Sequence, residues 1–176
     1  MTPENISKLK KKFGKILSGI EIIECDDGWF DLIREMLAEV ASVSQNVSIR
    51  QIKEKWGGLM FFADGILSEE QQVKILDIRE KYFFKSWRIC EFTGADGAST
   101  HYNGGNYKTL CDMAAALLGY WKVPAEDLKK IRLTNPDLSS ILLTMNTNIV
   151  ALIEKFGFPL TMDGAHIVSK IFNPEK

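Results

Sequence analysis

The chain reads as an α+β protein, mainly helical with a small antiparallel sheet and a helical C-terminal part. Three observations predict this. Apolar residues recur at helical spacing in long stretches toward both ends of the 176-residue chain. Between them, residues 47–63 and 100–108 carry the alternation and turn residues of strands. From about residue 122 onward the pattern is helical only. This suggests an α+β part, 1–121, with a helical part, 122–176, packed on it, either as two subdomains or as one domain.

The first helix is expected over 3–17. Pro3 is pre-set for a first helical turn, and Ile6, Leu9, Phe13, Ile16 and Leu17 form one apolar stripe. Lys8, Lys10, Lys11, Lys12 and Lys15 cover the rest. A membrane-surface helix has such a face, but a narrow stripe without Trp fits a packed helix with solvated lysines better. Ile20 to Ile23 reads as a short extended piece. A second helix is expected over 28–44, with Asp26 or Asp27 as N-cap and Trp29, Leu32, Ile33, Met36, Leu37 and Val40 facing the core. Residues 47–63 predict two strands with a turn or bulge at Gly57-Gly58. Ser68 followed by Gln71 is a capping box for a third helix over 68–86.

Residues 90–108 are the least regular, ending in a hairpin around Asn103-Gly104. A short helix is expected from Lys108 to Trp121, with Leu110, Cys111, Ala114, Leu117 and Leu118 as its apolar set. Asn135-Pro136 starts the clearest helix in the chain, which runs to Phe156 before Gly157 and Pro159. Asp163 opens a last one carrying Ile167, Val168, Ile171 and Phe172.

Composition narrows the function. Hydrophobic residues make up 45% and charged residues 26%, enough apolar surface for a real core. The net charge of -1 provides no overall field to hold nucleic acid. Cys25, Cys90 and Cys111 are too few and too odd in number for a secreted disulfide framework. The N-terminus lacks a signal-peptide core, and no apolar run reaches the ~20 residues of a membrane span, so a cytoplasmic setting is expected. Charge is most lopsided from Glu21 to Glu39, where Glu24, Asp26, Asp27, Asp31 and Glu35 face one base, Arg34. Such a face attracts a basic partner, although acids near a helix start also serve the helix dipole.

Catalytic signatures are sparse. Cys111, His101 and Asp112 lie near one another, but Cys111 sits on an expected apolar helix stripe, where a thiol is usually a small hydrophobe. Glu54, between Lys53 and Lys55, reads as a solvated residue on a strand with an open edge. His166 stands alone on the last helix. No phosphate-binding loop, dinucleotide fingerprint, serine-hydrolase elbow or HExxH appears. No catalytic residue and no cofactor is therefore expected.

Gly28-Trp29-Phe30-Asp31-Leu32-Ile33, then Lys53-Glu54-Lys55-Trp56-Gly57-Gly58-Leu59, then Thr109-Leu110-Cys111-Asp112 form an ordered set. Over residues 24–115 this resembles a family of small uncharacterised bacterial and phage proteins with GWFDLI, KEKxGGLxF and CxxCG…TLCxxH motifs. The resemblance implies a zinc site with two cysteines from a first knuckle and a cysteine and a histidine from a second. Here Cys90 and Cys111 are kept, while Thr93 and Ala114 stand where the second cysteine and the histidine belong. Two ligands do not build a structural zinc site, so no metal is expected, and His101 is a poor third donor. Packing of Phe92, Tyr102 and Tyr107, or Cys90 and Cys111 lying close as free thiols, would then hold the loop.

Elimination leaves a protein-binding module, of the kind of an immunity or antitoxin protein that blocks a bacterial toxin domain, perhaps a basic nuclease. Its expected contact face is Asp26, Asp27, Asp31, Glu35 and Glu39, with Asp96 in the irregular loop. The alternative is a nucleic-acid-binding regulator derived from a zinc-ribbon protein, using the N-terminal lysines with Trp56, Phe61 and Phe62.

Overall fold

The computed structural model describes residues 1–128. The chain divides into two compact units, Met1–Val123 and Pro124–Lys176. Of the second, only its start is described, where the Leu128 N–H donates to the Pro124 carbonyl at 2.9 Å. The helices expected at 135–156 and 163–172, and His166 with them, lie outside the described residues.

The first unit is α+β. Helix α1 spans Pro3–Phe13 and buries Ile6, Leu9 and Phe13. It stops four residues short of the expected end. Ile16 and Leu17 are still fully buried, but in turns, and the Ile16 carbonyl accepts the Ile49 N–H at 2.7 Å instead of a helical partner. Helix α2, Phe30–Val43, follows a 3-10 turn at Asp27–Trp29 and buries Leu32, Ile33, Met36, Leu37 and Val40. Neither Asp26 nor Asp27 caps it through a side chain, because both carboxylates are used elsewhere.

Strands β1, Val47–Lys55, and β2, Gly58–Gly65, form an antiparallel hairpin with a bulge at Arg50. The two-residue turn is Trp56-Gly57, one position earlier than the glycine pair suggests, with φ of 57° and 76°. Positive φ at both positions suits the right-handed twist of the strands. It is uncommon for a residue as bulky as Trp. The outer edge of β1 is not open. Glu24 bridges to it in parallel, with Glu24 N–H to Ile52 O at 2.9 Å and Glu54 N–H to Glu24 O at 2.8 Å.

Helix α3, Glu69–Ser86, begins with the predicted capping box between Ser68 and Gln71. Its C-terminal half packs on β2 and α2 through Ile75, Ile78, Tyr82 and Phe83. Buried Ser86 closes the joint: its hydroxyl accepts the Leu59 N–H at 2.8 Å and donates to the Phe83 carbonyl at 2.6 Å.

The expected single sheet is in fact two. The second has strand order β4-β3-β5, with β3 at Ser99–Tyr102, β4 at Tyr107–Leu110 and β5 at Trp121–Lys122. The helix expected over 108–121 shrinks to α4, Asp112–Leu118. Residues 107–110 pair with β3, and Gly119 ends the helix in the left-handed conformation. One core fills the space between α1, α2, α3 and the first hairpin, and a smaller one gathers Cys90, Leu110, Ala114 and Ala115.

Candidate functional site

The three motifs, far apart in the chain, meet in one place. Trp29 is fully buried and its indole N–H donates to the Ile89 carbonyl at 2.8 Å. Gly28 lies against the loop that follows: a Cβ there would stand 2.5 Å from the carbonyl oxygens of Cys90 and Glu91 and from the Gly94 nitrogen. The Thr109 hydroxyl donates to the Gly57 carbonyl at 2.6 Å, and a Cβ on Gly57 would press on Thr100 and Thr109. The glycines of the first two motifs are therefore contact points for the third.

At this junction lies a cluster of charges. Glu91 is fully buried. Its Oε1 accepts the Lys108 ammonium at 2.8 Å and the Asp26 N–H at 3.0 Å. Lys108 also reaches Asp26 Oδ2 at 2.7 Å. Glu54 bends over the neighbouring turn and accepts the Gly57 N–H at 2.5 Å. Burial pushes the Glu54 carboxyl up to about 7, with Glu91 adding to the rise and the Gly57 N–H opposing it. Burial also raises Glu91, against the pull of Lys108. Lys108 is held above its ordinary range, because Glu91 and Asp26 outweigh the cost of its burial. The expectation that Glu54 is a solvated strand residue is thus corrected: the edge it sits on is covered, and its side chain caps a turn.

The loop keeps the form of a knuckle without its ligands. Burial alone would raise the Cys90 thiol. The Thr93 hydroxyl and the N–H groups of Cys111, Thr93 and Phe92 outweigh it and hold the thiol below its usual range. Thr93 Oγ1 lies 3.8 Å from Cys111 Sγ, so a hydroxyl occupies the space of a second thiolate. Ala114 is buried in the small core, where its methyl offers no donor. These residues do not fit a tetrahedral zinc ion, and among the described residues no group of three or more His, Cys, Asp or Glu side chains could hold a metal ion. Phe92 does not hold the loop, since it is exposed.

Cys111 is not on an apolar helix stripe; it is the half-buried residue at the N-cap of α4. Buried His101 bonds the Ser99 carbonyl through Nδ1 at 2.8 Å, and its Nε2 lies 3.9 Å from Asp112, too far for a hydrogen bond.

The acidic residues predicted as a contact face are spread over different tasks. Asp26 belongs to the cluster. Asp27 accepts the Thr2 N–H at 2.8 Å and its hydroxyl at 3.2 Å. Asp31 pairs with Arg34 at 2.9 Å. Glu35 pairs with Lys85 and Glu39 with Lys81, both from α3, and Glu39 also accepts the Tyr82 hydroxyl. Asp96 is exposed in the loop, its backbone bridged to Ile89. Asp27, Asp31 and Glu35 nevertheless line one cleft of about 420 Å³, whose other walls are Lys85, Ile89 and the loop residues Thr93 and Gly94.

On the second sheet, Tyr107, Tyr102 and Trp121 share one cross-strand rung. Trp56 joins its end, giving ring-centroid separations of 5.2, 4.8 and 5.9 Å along the row. Trp121 is 58% exposed.

No family model, curated protein or solved structure matches this chain. Among the described residues, no helix is long and apolar enough to cross a membrane.

Proposed function

We propose that this protein acts in the cytoplasm by binding another protein, in the manner of an immunity protein that neutralises a toxin domain by covering it. The observation that carries the reading is the convergence of Asp27, Asp31 and Glu35 on one cleft beside the knuckle loop. A basic side chain of the partner, as on a nuclease surface, enters it. Exposed ion pairs such as Asp31–Arg34 and Glu35–Lys85 contribute roughly 0–1 kcal/mol each, so the partner can exchange them at little cost. Asp26 and Glu39 do not line this cleft, and each is tied to a cation elsewhere, Lys108 and Lys81.

Affinity capture with the tagged full chain from its host, followed by mass spectrometry, is the test. A stoichiometric protein partner lost by an Asp27→Lys/Asp31→Lys double variant of unchanged melting temperature supports the reading. Undiminished capture by that variant removes the cleft from it.

A second reading, a nucleic-acid-binding regulator, draws on the row of half-buried Trp56, Tyr107 and Tyr102 with exposed Trp121, since accessible aromatics on a sheet stack on unpaired bases. Retention on heparin at moderate salt, and quenching of tryptophan fluorescence by a single-stranded oligonucleotide, would favour it over the first.

A further inference from the structure

We propose that Glu54, whose carboxylate holds the Gly57 N–H beside the Asp26–Lys108–Glu91 cluster, forms a proton-responsive latch that sets how firmly the Trp56-Gly57 turn is held. This inference does not rest on the identity of any partner.

The charge balance is the starting point. Fully ionised, the three carboxylates exceed the one ammonium by two negative charges, in a place where Glu91 has no access to water. A further negative charge beside buried Glu91 disfavours the ionised form of its neighbour Glu54. Glu91 Oε2 is buried and has no hydrogen-bond donor, so the charge on that residue rests on Oε1 alone.

The other groups facing the cluster do not redress the balance. Cys25 is buried beside it, and burial with the nearby Glu91 keeps its thiol protonated. The Tyr120 hydroxyl is raised by burial and stays neutral within the field of Lys108, Glu91, Asp26 and Glu54. The Met1 ammonium is spent on the carbonyls of Ile23 and Cys25. Lys53 flanks Glu54 but alternates to the other face of β1, where its ammonium lies over the Phe62 ring at 5.5 Å.

Which residue takes the proton follows from the partners. Glu91 is pinned as an anion by Lys108 and the Asp26 N–H. Asp26 touches Lys108 directly, at 2.7 Å. Among the described residues Glu54 has only the Gly57 N–H, so the proton goes there. When Glu54 is ionised, that bond is charge-assisted; when it is protonated, the bond is neutral and about half as strong. The turn depends on it. Trp56 sits at a φ of 57°, a conformation that a bulky side chain keeps only when its surroundings hold it. The second clamp, from Thr109 to the Gly57 carbonyl, carries no charge. Trp56 in turn sets the end of the aromatic row through Tyr107, 5.2 Å away. Proton uptake therefore loosens the half-buried end of that row at neutral pH.

The test is NMR on the isotope-labelled full chain from about pH 5 to about pH 9. The Glu54 carboxyl carbon, the Gly57 amide and the Trp56 indole should titrate together with a midpoint near 7. Glu91→Gln, which removes one negative neighbour, should lower that midpoint by about one unit. In Glu54→Gln the Gly57 amide should stay flat across the range. A Glu54 carbon with the midpoint of an ordinary exposed glutamate overturns the proposal, as does a Gly57 amide that titrates unchanged in Glu54→Gln. A Trp56 indole that ignores the Glu54 titration overturns the link to the aromatic row. Should either variant fail to fold, the wild-type titration of the three signals decides by itself.

Discussion

Replacing Lys108 with methionine removes the one cation that touches Glu91 among the described residues, while keeping much of the side-chain volume. Glu91 is fully buried, and without Lys108 its one remaining donor among the described residues is the Asp26 N–H. Breaking a buried pair from one side costs about 3–5 kcal/mol. The ceiling can be worked from the carboxyl itself, which escapes by taking a proton. Starting from an ordinary value of 4.5, neutralisation at pH ~7.5 costs at most about 4 kcal/mol, and at pH ~5.5 about 1.4, at 1.36 per pH unit. The sign follows from the folded state binding protons more tightly than the unfolded one: stability falls as pH rises. Urea denaturation at the two pH values measures this directly. We expect a deficit of about 3 kcal/mol at the higher pH, equivalent to a melting temperature lower by roughly 10 °C, shrinking by more than half at the lower. Adding Glu91→Gln to the variant should restore most of it. Equal deficits at both pH values, or no recovery in the double variant, would refute the reasoning.

The wild-type chain should itself lose stability as pH rises from about 4.5 toward about 7, because the folded state holds the Glu54 proton over that window. Partial exposure of Glu54 limits the effect to about 1–2 kcal/mol, read as a sloping urea midpoint that becomes flat in Glu54→Gln. Gly28→Ala drives a methyl into three backbone atoms that cannot turn aside, and should cost about 3 kcal/mol or more. Gly97→Ala, where φ is 78° and nothing lies within reach, should cost only about 1 kcal/mol, and chemical denaturation of the pair separates crowding from backbone strain. Thr93→Cys places a third sulfur beside Cys90 and Cys111, and should give thiolate-to-cobalt(II) absorption that the wild-type chain lacks under the same titration.

Local chemistry was legible in the residues; distant pairing was not. The capping box of α3 and the Asn103-Gly104 hairpin need only their own neighbours, and both stand as read. Residues 108–111 misled because Leu110, Cys111, Ala114 and Leu117 hold a helical period, while the pairing of Tyr107–Leu110 with β3 overrides it. The acidic face looked unopposed because its cations lie elsewhere: Lys81 is 42 residues from Glu39, and Lys85 is 50 from Glu35. The junction of the motifs was half visible. Gly28, Gly57 and Thr109 stood in the motifs, but Glu91 and Lys108 flank them with no pattern of their own, and Asp26 finds Lys108 across 82 residues. Their positions, one after Cys90 and one before Thr109, are the only signal that singles them out. Glu54 reads as solvated because nothing along β1 announces that Glu24 covers its edge.

The two hairpin turns imply an order of assembly. The Asn103–Asn106 turn contains Gly104 at a φ of 87° with no neighbour near it. Its conformation is encoded locally and is available within microseconds of chain collapse. The Trp56-Gly57 turn carries a residue that resists its own backbone angles, and its Gly57 carbonyl waits for a hydroxyl 52 residues downstream. Closing that loop costs entropy before any contact rewards it. The first hairpin should therefore remain frayed at its tip until the second has formed and docked. Mutations at Thr109 would then act on the folding rate, and those at Asn103 would leave it almost untouched. An excised peptide of the first hairpin alone would not hold its turn.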